Sequence, residues 1–155
     1  MIKPLPPNLC RRCGLLLAGS EKGNDSCPRC STGKWHCGQV SAISTFEEPM
    51  AVLIRQLKFH ARVEVAALGG WFLASALQAQ QSEQRYDMLI PVPLHLNRLR
   101  ERGFNQSLLL ARETAKRSGI PVAPGVLRRR RWTAPQLGLD EVSRRENVSG
   151  AFEVT

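Results

Sequence analysis

The stretch "DMLIPVPLHLNRLRERGFNQSLLLAR", Asp87–Arg112, decides how the rest of the chain is read. With Tyr86 before it, it opens as an almost uninterrupted apolar run, the pattern of a strand buried on both faces in a parallel sheet. Two prolines, Pro91 and Pro93, break that run, and a densely basic turn follows with Arg98, Arg100, Arg102 and Gly103. A helix is then expected from about Asn105 to Arg117, closed by Ser118-Gly119 with Pro121 just beyond. A strand that stops at a cationic, glycine-containing turn and feeds a helix presents positive charge and unpaired N–H donors to an anion. Glycine admits close approach to the backbone, and arginine gives bidentate contacts to phosphate oxygens. From the residues alone, a solvated basic loop fits the pattern equally well.

On either side of this stretch the chain alternates strand and helix signals. "STFEEPMAVLIRQLKFH" reads as a short strand or turn and then a helix, with Met50, Leu53, Ile54 and Leu57 at the spacing of a buried stripe. Glu47 and Glu48 stand at its start, where the helix dipole favours them. A second helix is expected from about Val63 to Gln80, weakened at Gly69-Gly70 by about 1 kcal/mol per glycine unless the pair serves close packing. "VAPGVLRRRRW" reads as a further strand, "DEVSRRENV" as a short helix with Asp140 as N-cap, and "GAFEVT" as a strand. The alternation predicts an α/β unit with a mostly parallel sheet.

The first forty residues differ in kind. They are rich in Cys, Gly, Ser and charge and poor in large apolar groups, so a hydrophobic core cannot hold them. Cys10, Cys13, Cys27 and Cys30 form C-x2-C-x13-C-x2-C, whose two knuckles supply four thiolates in a tetrahedron around Zn2+. Structural zinc contributes on the order of 10 kcal/mol or more to such small modules. Four closed thiolates leave no open coordination position, so the expected role is structural. His36 and Cys37 lie near enough in sequence to be substitute ligands, and accidental spacing of free thiols is the bland alternative. The domain reading is therefore a zinc-ribbon module over 1–40 and an α/β domain over 41–155.

The 155 residues carry 22 Lys and Arg against 13 Asp and Glu, a formal charge of +9, with the basic residues gathered between Arg98 and Arg131. Such a field suits phosphates, nucleic acid or an acidic partner. No stretch approaches the roughly 18 consecutive apolar residues of a membrane span, and "MIKPLPPNLC" lacks the apolar region of a signal peptide. The expectation is a cytoplasmic protein without membrane insertion, whose cysteines bind metal rather than form disulfides.

"IPVPLHLNRLRERGFNQSLLLA" resembles the hallmark of the competence protein ComF family, also called GntX-like, whose members are phosphoribosyltransferase-like. "CRRCG" with "CPRC" resembles the zinc ribbon of that family, "FEEPMAVLIRQLKFH" its Lys-Phe segment, and "PQLGLDEVSRRENVSGAF" its Gln, Arg, Asn and Gly-Ala-Phe signature. The resemblance covers nearly the whole chain, in order. It implies a type I phosphoribosyltransferase fold, a parallel sheet flanked by helices, that binds phosphoribosyl pyrophosphate with Mg2+. It places Arg102, Gly103, Asn105 and Gln106 in the pyrophosphate loop, with Lys58 and Arg144 as further phosphate contacts, and it implies a role in DNA uptake for some members.

In the family pattern a strongly apolar strand and an Asp-Asp-x-x-Thr-Thr-Gly loop follow Gly-Ala-Phe. This chain contains no adjacent Asp pair and no Thr-Thr-Gly. Phosphoribosyl transfer passes through a cationic sugar, so the acidic loop and metal matter to the reaction. The chain is expected to be a fragment or a shortened form that keeps binding functions, with no catalytic residue assigned. A shortened sheet also leaves an edge near Phe152 and Val154 open to association. The competing reading is a non-enzymatic zinc-ribbon adaptor for single-stranded DNA or a helicase-like partner, using the run Arg128–Arg131 and Trp132. The bland readings are a solvated charge run, surface positions for His60 and His95, and packing roles for Trp35, Trp71 and Trp132.

Overall fold

The computed structural model describes residues 5–6, 8–17, 26–33, 37–80 and 85–155; Trp35 and His36 lie outside them. Two compact units divide between Val52 and Leu53.

In the first unit the chain folds back at each cysteine pair. Leu9 and Leu16 form an antiparallel bridge, Gly14 N donates to Cys10 O at 2.8 Å, and Gly14 adopts φ +73°, a left-handed turn suited to glycine. The second pair opens helix α1, Pro28–Thr32, with Cys27 as N-cap and Pro28 in its first turn, where the missing N–H costs nothing. Cys10, Cys27 and Cys30 form the buried cluster, with Cys13 and Leu17 packed on it. Helix α2, Met50–Phe59, begins in this unit and ends in the next; Met50 and Leu57 of its expected stripe are buried, while Leu53 and Ile54 are half-buried.

The second unit is built on helix α3, Val65–Gln80, packed against α5, Gln106–Ser118. The glycine pair explains how closely they pack. A Cβ at Gly70 would stand 2.4 Å from Glu113 Cβ and 2.8 Å from the Glu113 carbonyl carbon. The helix-weakening pair is therefore the contact that lets two backbones approach.

Between them runs the basic stretch, and here the structure departs from a turn. Leu96–Arg102 is a helix, α4, with His95 as N-cap and Gly103 as its left-handed C-cap at φ +81°. Six of its seven residues are Leu, Arg or Glu, good helix formers, and between two capping residues they are enough for a short helix.

The strand expected at 86–93 makes a single parallel bridge, Leu89 to Val122, with Leu89 N donating to Pro121 O and Ala123 N to Leu89 O. Pro91, Pro93 and Pro121 remove backbone donors on both sides, which limits the ladder. The sheet formed among the described residues is two-stranded and antiparallel: β1, Leu127–Arg129, pairs with β2, Phe152–Val154, in the register Arg128↔Glu153. The mostly parallel sheet expected from the alternation of elements is thus replaced, among the described residues, by this ladder and one parallel bridge. Helix α6, Glu141–Val148, joins the two strands, and Asp140 caps it as expected, accepting from Ser143 N at 2.8 Å. No helix of the described residues is long and apolar enough to cross a membrane.

Candidate functional site

The metal centre comes from the two knuckles. The Sγ atoms of Cys10, Cys13, Cys27 and Cys30 all lie within 4.8 Å of one another, and those of Cys13 and Cys27 are 3.7 Å apart. A tetrahedron with Zn–S bonds of about 2.3 Å has S···S edges of about 3.8 Å, so the donor set fits Zn2+. Cys27 N donates to Cys10 Sγ at 3.3 Å, and Arg12 Nη1 reaches Cys30 O at 3.3 Å, linking one knuckle to the other.

Burial pushes the Cys10 thiol up, but hydrogen bonds from the backbone of Cys27, Cys13 and Arg12 outweigh it and pull it down to about 6. Burial, reinforced by the other three cysteines, pushes Cys30 up to about 12. The thiols therefore resist ionising together, and a divalent cation is what lets four thiolates share so small a space. Cys37 is exposed and stands outside the cluster.

A cavity of about 380 Å³ in the second unit gathers charge of one sign. Lys58, Arg98, Arg102 and Arg129 line it with Gln106, Gln136, His95 and Trp132, and no carboxylate is among the lining residues. Burial, and then the charge of Arg98, holds Arg102 below the usual arginine range; burial, Arg98 and Arg131 do the same to Arg129. Each guanidinium is thus under repulsion that a bound anion relieves. Arg102 Nη1 donates to Gln106 Oε1 at 2.6 Å, and its guanidinium lies 5.8 Å from the Phe59 ring centroid. Arg98 pairs with Glu101 at 3.5 Å, and Arg129 donates to Thr133. Among the described residues, the buried side-chain polar atoms without a partner are Arg129 Nε and Gln136 Oε1, and both residues line this cavity.

The structure divides the six phosphate candidates three ways. Lys58, Arg102 and Gln106 meet in the basic cavity. Gly103 and Asn105 line another, mostly apolar cavity of about 420 Å³ with Pro91, Pro93 and Phe104. Asn105 Oδ1 accepts from Ser107 N and Leu108 N as the cap of α5, so this side chain occupies N–H donors that the sequence pattern assigns to an anion. Arg144 sits on α6 beside a third hollow with Leu137, Glu141 and Val148.

The arginine run is likewise divided. Strand alternation turns Arg129 away from the side taken by Arg128 and Arg130. Arg130 pairs with Glu153 at 3.1 Å, and Arg131 donates to the carbonyls of Asn147 and Ser149 at the end of α6. Arg129, Trp132, His95 and Gln136 were not legible as one group in the sequence. Period-two alternation through "LRRRRW" was the available signal for Arg129.

Comparison with known proteins adds the following. The chain is 34% identical over 150 residues to DNA utilization protein YhgH of Salmonella typhimurium, an alignment that covers 95% of this chain and 65% of the relative. The protein of the same name in Escherichia coli is 32% identical over 149 residues, 94% of this chain and 64% of the relative. Competence protein F of Haemophilus influenzae is 28% identical over 156 residues, covering 99% and 66%. The chain therefore spans about 65% of the length of the curated relatives it matches. No protein-family profile and no solved structure matches it.

Proposed function

The chain belongs to the ComF family, the family of competence protein F, and from that premise we propose that it binds phosphoribosyl pyrophosphate in the basic cavity. Lys58, Arg102 and Gln106 take the phosphate oxygens with Arg129, while Gly103 and Asn105 shape the turn that carries Arg102 and Arg144 contributes from the adjoining hollow. The observation that carries this reading is the convergence of four cations without a lining carboxylate, around residues that hold a buried donor and acceptor lacking partners. Guanidinium and phosphate form the strongest class of hydrogen bond available there.

Mg2+ belongs to the proposal as a companion of the pyrophosphate. The cysteine cluster is the metal-capable group among the described residues, and Mg2+ prefers substrate phosphates and water to an all-protein cage. Zn2+ is assigned to Cys10, Cys13, Cys27 and Cys30, as the structural metal of a ribbon over 1–40 that precedes the phosphate-binding domain over 41–155. The transfer reaction is not assigned to this chain, which contains no adjacent Asp pair for the ribose hydroxyls. The names of the relatives support a part in DNA handling during competence, and a cytoplasmic location belongs to the proposal.

Those names also favour a second reading, a zinc-ribbon adaptor that binds single-stranded DNA or a DNA-uptake protein. Titration calorimetry separates the two. Phosphoribosyl pyrophosphate is expected to bind the zinc-loaded chain in the presence of Mg2+, and Arg102→Ala to weaken it by about 10- to 100-fold, the worth of a charged hydrogen bond of about 1.5–3 kcal/mol. Absence of heat from phosphoribosyl pyrophosphate, together with single-strand binding that falls log-linearly with salt, would reverse the order of the two readings.

A further inference from the structure

The basic cavity carries an apolar border that phosphate leaves unused. Phe59, Trp132 and Leu137 line it together and are 71%, 40% and 93% exposed. Large apolar residues scattered singly over a surface are ordinary, but three on one cavity are not scatter. Beside them Lys58, Arg98, Arg102 and Arg129 are half-buried, with no carboxylate among the lining residues. Phe59 ends α2 with the Arg102 guanidinium 5.8 Å from its ring centroid, so charge and apolar surface adjoin.

We propose that this surface docks a short acidic segment of a partner protein, its carboxylates on Lys58, Arg102 and Arg129 and its apolar side chains against Phe59 and Leu137. Charge complementarity selects the occupant. Guanidinium groups take carboxylates in bidentate pairs, and the formal charge of +9 draws an acidic chain toward the surface. A second copy of this chain brings the same +9 and is repelled. Single-stranded nucleic acid uses cations and stacking rings, whereas the aliphatic Leu137 and the neighbouring Pro135 offer it neither and suit a Leu or Phe side chain. The proposal goes beyond the phosphate reading and does not depend on it. A peptide seated on Arg102 would exclude pyrophosphate from the same guanidinium.

The test is fluorescence anisotropy on the full zinc-loaded chain with two labelled peptides, one of Asp and Glu interrupted by Phe and Leu, the other with Ser in place of Phe and Leu. The first is expected to bind about ten-fold more tightly, the gain from burying a large apolar side chain. Leu137→Ser should remove most of that gain and leave the affinity for the Ser peptide as it was, which also shows that the variant is folded. Leu137→Met should keep the gain, and Arg102→Ala should weaken both peptides. Absence of binding by either peptide, equal affinities in the native chain, or a gain untouched by Leu137→Ser would overturn the docking site. Oligothymidylate that loses affinity in Leu137→Ser, while the peptides do not distinguish the two chains, would overturn it in favour of nucleic acid. A native chain that sediments as a dimer beside a monomeric Leu137→Ser would give the border to a second copy and overturn it as well. No phosphate ligand enters the peptide titrations, so their failure leaves the phosphoribosyl pyrophosphate reading intact.

Discussion

In the cysteine unit the buried cluster is Cys10, Cys27 and Cys30, whereas the second unit is organised by α3 and α5 meeting across Gly69 and Gly70. The first has almost no apolar mass to exclude water, and its four cysteines are placed so that they could hold a metal ion, from which its cohesion is proposed to come. The second gains cohesion from closeness, because removing a side chain at Gly70 brings helix backbone against helix backbone. A unit held by a metal should fail at once when the ion goes. A unit held by packing should yield by degrees as atoms are added or removed.

Metal removal is the largest expected effect and the most direct way to break that contrast. Elemental analysis should find one Zn2+ per chain, unchanged in Cys37→Ser and lost in Cys27→Ser. Since structural zinc supplies on the order of 10 kcal/mol, chelation should remove the hydrogen-exchange protection of the Cys10, Gly14 and Leu17 amides, which bond within the first knuckle. The amides of α5 should keep theirs. Equal loss in both units would show that the second also depends on the metal, and the contrast would fall.

Glycine substitution tests the other side. Gly70→Ala places a methyl carbon 2.4 Å from Glu113 Cβ and under 3 Å from backbone atoms of Glu113 and Thr114, so a helix must shift. An overpacking cost of about 1–3 kcal/mol, offset by about 1 kcal/mol of helix propensity, predicts a net loss of up to about 2 kcal/mol in urea unfolding. Gly69→Ala meets the Leu110 Cδ2 atom at 2.6 Å, the far end of a flexible side chain, and should come out near neutral. Equal costs at the two sites would mean that the backbone contact at Gly70 is not what sets the helix spacing. Zinc content should be native in both variants.

The same contrast explains what the sequence disclosed. The knuckles were legible because metal-ligand spacing is local: C-x2-C fixes a turn wherever it occurs. The caps at Asp140 and Gly119 were legible for the same reason, and the structure has both, whereas Asn105, read as a phosphate contact, is the cap of α5. The helix at Leu96–Arg102 was hidden because charge and proline dominate the stretch, while the decisive signals, His95 before it and Gly103 after it, are single residues. The sheet's partners were not legible because strand periodicity does not report them: Leu127–Arg129 pairs antiparallel with Phe152–Val154, a choice made across the intervening α6. The basic cavity lies between these cases. Arg102 and Gln106 could be read from one short stretch, but Lys58, Arg129 and Trp132 reach it from distant segments, and only folding shows that they converge.

The smallest effect sharpens the contrast through pH. Hydrogen bonds from Ser143, first of all its backbone N–H, hold the Asp140 carboxylate below its ordinary range. The stability this contributes is fully present above the unfolded value of about 3.9 and is lost as pH falls through the lower folded value. Asp140→Asn keeps an equally good N-cap without the titration. The stability difference between the native chain and Asp140→Asn should therefore favour the native chain at neutral pH and shrink toward zero in acid. Zinc loss at low pH, when thiolates protonate, is common to both chains and cancels in that difference. A difference that stays constant from neutral pH into acid would show that the carboxylate charge does not help hold α6, and that this cap acts through its geometry alone.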